Sequence, residues 1–277
     1  MLFQSVKDFG CIGDGVTDDT TKFQAAIDAA VYGIGTLYID AGTFLISAPL
    51  LVSGSLTLRG MGSPKSTIRV PQTVPAGLDV TTALPVQFEN FRMVGDQGVS
   101  NWSSLIMVTP SGAFNEFSCM RDISLVYGGI GMHMGNAAFW AIDRCDISQS
   151  SQIGVYVENR NAPDNGDSTI CNSIISGPIG STTMSCIYQA SSGGLRINNN
   201  KIIGGAYGYL LSLTSGAVTS DLLVVGNSFE LQTYDHLVGA PGTFSNVVIA
   251  ANQMWSAKNA ISLPNYANTV ISGNAIV

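Results

Sequence analysis

The sequence predicts an all-β fold, a parallel β-helix closed at its amino end by one α-helical cap. Three observations lead there: sparse charge, a repeat of 22–28 residues built from short strands, and a single amphipathic helix near the start. Only 11% of the 277 residues are charged, whereas 45% are hydrophobic. An average domain carries roughly 25% charged residues. Disorder needs low hydrophobicity and high charge, and a helical bundle fills its exposed faces with Lys, Glu and Arg. Neither fits. A β protein with polar but uncharged faces does, and the 31 glycines supply its turns.

The repeat carries the fold. A phrase of the form apolar-x-x-Asn-x-apolar runs Ile197 to Ile202, Val224 to Phe229, Ile249 to Met254 and Ile271 to Ile276, with Asn200, Asn227, Asn252 and Asn274 in the Asn slot. Thr169 to Ile174 is a weaker copy with Asn172 in that slot, so successive Asn spacings are 28, 27, 25 and 22. A second phrase, Ile130-Gly131-Met132-His133-Met134, returns as Ile153-Gly154-Val155-Tyr156-Val157, and Ala260 to Leu263 is a later relative. Short alternating strands between Gly, Asn and Ser turns leave no room for the helices of helical repeats. In a parallel β-helix each coil adds one rung to each of about three sheets, roughly 4.8 Å from the next. Asn suits a tight turn there, since it tolerates the left-handed conformation and its amide can bond up and down a stack.

Thr20 to Val31 places Phe23, Ala26, Ile27, Ala30 and Val31 on one helical face. Thr17 or Asp18 is the expected N-cap, with Asp19 in the first turn. Such a helix covers core that the first coil would otherwise expose. Residues 1–50 therefore read as the cap with the first strands, including the run Thr36 to Ser47, and residues 51–277 as coils. The chain stops on an Asn-slot strand without a recognisable carboxy-terminal cap, which predicts a segment of a longer assembly or cover from other chains.

Composition also limits partners. Net charge is −7 and no Lys/Arg cluster occurs, against nucleic acid. No window approaches the ~18 apolar residues of a membrane helix, and the start shows no basic, apolar leader. Five cysteines without CxxC and two histidines predict no metal site and no cofactor. The thiols read as reduced core fillers of a chain folded in a cytoplasm.

Val6-Lys7-Asp8-Phe9-Gly10-Cys11-Ile12-Gly13-Asp14-Gly15-Val16-Thr17-Asp18-Asp19-Thr20 resembles the opening of the pectate-lyase superfamily of right-handed β-helices. Gln24 to Ile27 and Leu37 to Phe44 continue the resemblance, which covers about the first fifty residues. It implies a right-handed coil and, among members, most closely the bacteriophage tailspikes that depolymerise capsule, exopolysaccharide or O-antigen. A homotrimer, a bacterial surface polysaccharide as partner, and a place in the virion tail are implied with it. The polygalacturonase-like motifs are absent. Asp18-Asp19 lies in the cap, His133 stands in Gly131-Met132-His133-Met134, and Arg196-Ile197 is followed by Asn198.

Two surface clusters are candidates for chemistry. Aligned apolar slots put Arg92, Asp122, Asp146, Ser173 and Lys201 in one column, immediately before Met93, Ile123, Ile147, Ile174 and Ile202. Asp122 and Asp146 would then stand roughly 5 Å apart, as in a retaining glycosidase, with Asp143 on the second coil. Alternatively these carboxylates pair with Arg92, Arg121 or Arg144, or Cys119, Cys145 and Cys171 form the column instead. The other cluster aligns His133 with Tyr156, adds Glu158, and leads into an insertion from Asn159 to Asp167 that carries Arg160, Asp164 and Asp167. Aromatic rings suit sugar faces and Arg160 suits an acidic sugar; surface decoration or a subunit contact is the plainer alternative. Asp122, Asp143, Asp146 and Glu158 are thus the catalytic candidates. His133, Tyr156, Arg160, Asp164 and Asp167 are the binding candidates. Glu230, Tyr234, Asp235 and His236 form a weaker third group. Hydrolysis is the expected reaction, with β-elimination on a uronate and glycan binding without cleavage as alternatives.

Overall fold

The computed structural model describes residues 4–33, 35–97, 102–158, 167–190, 193–212, 218–240, 243–255, 258–263 and 266–277. Among these the strands form three long parallel sheets, here named A, B and C, of 11, 11 and 9 strands. Each coil adds one strand to A, turns a corner, adds one to B, and crosses to C. One complete coil is Ala141–Asp143, Asp146–Ser148 and Ile153–Val157. Every pairing between sheet strands is parallel, as in Ile142↔Ile170, Ile147↔Ile175 and Val155↔Ile187. Inward side chains form one continuous core; Met120, Leu125, Met132, Ile142, Ile147 and Val155 are all fully buried.

The cap is a helix, Thr20–Tyr32, whose Phe23, Ala26, Ile27 and Ala30 have no exposed surface. Each larger side chain buried this way contributes roughly 1.5–3 kcal/mol. Phe23 meets Phe44 edge-on, with centroids 5.8 Å apart, which joins the helix to the first coil. The N-cap differs from expectation. Asp19 holds that position but makes no cap bond to the helix. Its buried carboxylate accepts hydrogen bonds from the backbone N–H groups of Ile12 and Gly13, at 2.7 and 2.9 Å. Asp18 instead takes Thr20 and Ser47. Gly13 is required here, because at φ +70° a Cβ would lie 2.8 Å from the Phe44 ring.

The corner between A and B sets the register. One residue per coil is left-handed there: Asn90, Asp122, Arg144, Asn172, Asn199 and Ala251, with φ between 52° and 58°, and Gly226 at 71°. The next residue is buried and forms a second column. It reads Phe91, Ile123, Cys145, Ser173, Asn200, Asn227 and Asn252, as the backbone bonds from Ser124 to Phe91, Asp146 to Ile123, and Ile174 to Cys145 establish. From Ser173 onward this column is a ladder. Ser173 N donates to Asn200 Oδ1 at 3.0 Å, Asn200 N to Asn227 Oδ1 at 2.9 Å, and Asn227 N to Asn252 Oδ1 at 2.9 Å. Each side-chain amide also reaches back to a carbonyl, Asn227 Nδ2 to Ile197 O at 2.7 Å.

This corner corrects the expected alignments. Asn172 is the left-handed residue and Ser173 fills the ladder slot, one position later than the repeat phrase suggests. In sheet B the observed outward column is Arg92, Ser124, Asp146, Ile174 and Lys201. Ile123 is buried in the corner, not in the strand, and Leu125 takes its place opposite Ile147. Asp122 and Asp146 therefore share no column. The cysteine column fails too, since Cys119 pairs with Ala141 while Asp143 pairs with Cys171. All five thiols are free, and burial pushes Cys145 and Cys186 up to about 12, where they are inert.

The ladder makes a direct test. Asn227→Ala strands a buried carbonyl and two donors of Asn200, each worth about 1–3 kcal/mol. Urea denaturation is expected to show a loss of about 3 kcal/mol. A loss below about 1 kcal/mol would contradict a stabilising ladder.

Candidate functional site

Side chains that point outward from a parallel sheet stack one rung above another, so function is read along columns. The outward column at the carboxyl end of sheet A alternates in charge: Arg59, Glu89, Arg121 and Asp143, followed by Cys171. Arg59 and Glu89 lie 2.6 Å apart. Arg144, at the adjoining corner, grips Asp122 through Nε and Nη2 at 2.9 and 2.8 Å and donates its remaining Nη1 to Asp143. Asn172 Nδ2 also donates to Asp143, at 2.9 Å. The Arg144 guanidinium bound to it holds the Asp122 carboxyl below the usual carboxylate range. Asp122 and Asp143 are thus ion-pair partners of Arg144. Asp146 is exposed beside them and lines an open groove of about 390 Å³ with Asp122, Arg144 and Asn172. Asp122 and Asp146 line this groove from different columns, with Asp122 held by Arg144.

Sheet C carries a different column. Asp79, Met107, His133, Tyr156, Tyr188 and Leu210 follow one another on consecutive rungs, pointing away from a core of Leu78, Ile106, Met132, Val155, Ile187 and Tyr209. The His133 and Tyr156 rings stack, with centroids 4.7 Å apart and planes 20° from parallel. Tyr188 continues the stack at 5.4 Å and 41°. The strand phrase Gly-x-aromatic made this pairing legible, because period-two alternation fixes which residue faces out. Glu158, two residues beyond Tyr156 on the same face, brings Oε2 to 2.9 Å from His133 Nε2. His133 is almost wholly covered, whereas Glu158 is partly open to solvent. His133 thus holds the Glu158 side chain from its covered side.

Beside the stack lies a groove of about 270 Å³ in which Tyr156, Tyr188 and Leu210 face Trp102, Gln152 and Thr183. Trp102 is 67% exposed, so its ring is open to solvent at the edge of this groove. Tyr188 and Trp102 were missed from the sequence. Tyr188 was available by extending the strand alignment one coil, from Val155-Tyr156 to Ile187-Tyr188; Trp102 lies before its strand, where no periodicity points to it.

The other candidates are placed elsewhere. Asp167 immediately precedes the sheet A strand Ser168–Cys171 and lies 3.6 Å from Arg196 on the next coil. Arg160 and Asp164 lie outside the described residues. Glu230, Tyr234, Asp235 and His236 do not assemble. Glu230 pairs with Lys201 at 3.5 Å on sheet B, and Asp235 accepts both donors of Asn259. His236 is buried against Gln232, and desolvation pushes it down to about 4.

A family model described as rhamnogalacturonase A/epimerase, pectate lyase-like, matches residues 3–201. The chain belongs to this family. Its membership agrees with the superfamily that Val6 to Thr20 resembles. Mannuronan C5-epimerase AlgE4 of Azotobacter vinelandii is 42% identical over 74 residues, 24% of this chain and 13% of that protein. The match thus spans a small part of the relative's length. Among solved structures, PfbA, a surface adhesin of Streptococcus pneumoniae, superimposes with a TM-score of 0.71 at 15% identity, covering 99% of this chain and 85% of that one. Tailspike protein 2 of Escherichia coli O157:H7 bacteriophage CAB120 gives 0.58 at 16% identity, covering 100% and 42%. At such identities these likenesses concern the fold of this family member.

Asp79 stands two rungs before His133 in the same column. Its Oδ1 is buried without a hydrogen-bond partner, and burial pushes its carboxyl above the usual range despite a bond from Thr109. A raised folded-state value means that ionisation disfavours the fold, so this contribution worsens as pH rises from the ordinary Asp value of about 3.9 through the raised one. Asp79→Asn is expected to melt above the wild type at about pH 7, with the difference shrinking near pH 3. An equal difference at both pH values would contradict this.

Proposed function

We propose that the protein binds a bacterial surface polysaccharide along sheet C and cleaves it by glycoside hydrolysis, with Glu158 as the acid–base group. The observation that carries the reading is the registered stack of His133, Tyr156 and Tyr188 facing Trp102 across a groove. Aromatic rings bury the apolar faces of pyranoses, and a column spaced by one rung repeats along the coil axis as sugar units repeat along a chain. Membership of a pectate lyase-like family supports a polysaccharide as the ligand. Glu158, oriented by His133 and partly open to solvent, is the carboxylate that this face offers to a glycosidic oxygen.

A second reading is glycan capture without cleavage. The groove's own lining favours it, because Trp102, Gln152, Tyr156, Thr183, Tyr188 and Leu210 include no carboxylate.

A panel of capsular and O-antigen polysaccharides separates the readings. New reducing ends without absorbance near 235 nm support hydrolysis, that absorbance marks elimination, and binding without products marks capture. Under hydrolysis, Glu158→Gln is expected to lower turnover by about a hundredfold or more while binding persists. Tyr188→Ala is expected to weaken binding about tenfold, near 1.4 kcal/mol. In contrast, Asp146→Asn is expected to retain turnover within about twofold. A hundredfold loss in that variant would return the active centre to the sheet B groove.

A further inference from the structure

Among the described residues, the lysines and arginines that lie in strands are divided unequally between the sheets. None of the nine sheet C strands contains a lysine or arginine. Sheet A strands carry Arg59, Arg121 and Arg196, and sheet B strands carry Arg69, Arg92 and Lys201. Several of these are already engaged: Arg59 with Glu89 at 2.6 Å, Arg196 with Asp167 at 3.6 Å, and Lys201 with Glu230 at 3.5 Å. Among the described residues, the carboxyl groups nearest the ring column are Asp79, partly buried on the column itself, and Glu158, which His133 contacts beside it.

We infer that the ring column of sheet C takes an uncharged polysaccharide, a polymer of neutral hexoses or deoxyhexoses, and disfavours polyuronates. A polyuronate carries about one carboxylate per sugar. Laid along the column it would bring that row of charge against Asp79 and Glu158, and like charges held close in a partly desolvated groove repel. Neutral sugars meet no such opposition. Their apolar faces match Tyr156, Tyr188 and Trp102, and their hydroxyls match the side chains of Gln152 and Thr183 that line the same groove. The net charge of −7 acts in the same direction at longer range by slowing the approach of a polyanion. The inference rests on sheet C being the polysaccharide face, and it also separates hydrolysis from β-elimination, which needs a uronate.

The experiment is a set of binding isotherms for the full chain with neutral polymers (dextran, a mannan and a rhamnan) and with two polyuronates (alginate and polygalacturonate). Each is measured at about 50 and about 500 mM salt, a range over which the Debye length shortens about threefold. The expected result is saturable binding of a neutral polymer, an affinity that changes less than about twofold between the two salts, and binding about tenfold weaker in Tyr188→Ala. Polyuronate binding that falls more than about tenfold at high salt would overturn the inference while leaving sheet C as the polysaccharide face, provided that Tyr188→Ala also weakens it about tenfold. Reversal of that binding by Arg160→Ala, with Tyr188→Ala unaffected, would overturn both. Failure of every polymer to bind would overturn the reading of sheet C and this inference together.

Discussion

Everything that faces outward in this molecule depends on how the chain turns the corner between sheets A and B. One left-handed residue and one buried residue per coil make that corner, and the buried residue hands a hydrogen bond to the coil below. In the later coils Ser173, Asn200, Asn227 and Asn252 do this with side-chain oxygens that accept a neighbouring backbone N–H. In the earlier ones Phe91 and Ile123 fill the slot by packing. A buried N–H without a partner is costly, so a slip of one residue would lose the ladder and expose core together. The corner thereby fixes which residues share a column, and the columns fix the surface.

Columns also explain why the chain is so poor in charge. Like charges one rung apart repel, whereas Asn, Ser, Thr and Gly can be stacked freely. Where charges do stack, on sheet A, they alternate as Arg59, Glu89, Arg121 and Asp143. Arg144 then draws Asp122 and Asp143 into one network. Two carboxylates on successive coils are suggestive in a sequence. With an arginine between them they neutralise the surface.

The fold was legible because its signals are periodic and local. The Asn phrase, the Gly-x-aromatic phrase and the single helical face of Phe23, Ala26, Ile27 and Ala30 each report a geometry that needs no tertiary information. Register was legible only where alternation is strict. His133 and Tyr156 stand in matching strands, and the sequence aligns them correctly. Asp122 and Asp146 do not, because Ile123 and Leu125 are both buried and hydrophobicity alone does not say which one belongs to the strand. Trp102 was out of reach for another reason. It reaches the groove from a segment outside any strand, so its neighbours Tyr156 and Tyr188 are set by packing across coils.

Registered stacking is the property of sheet C on which its proposed role as the ligand face rests. The most direct measurement is a crystal structure with a bound oligosaccharide from whichever polymer the protein retains. Sugar rings are expected over Tyr156 and Tyr188, edge to Trp102, with a hydroxyl or glycosidic oxygen at Glu158. Sugar seated instead in the groove of Asp122, Arg144 and Asp146 would contradict it.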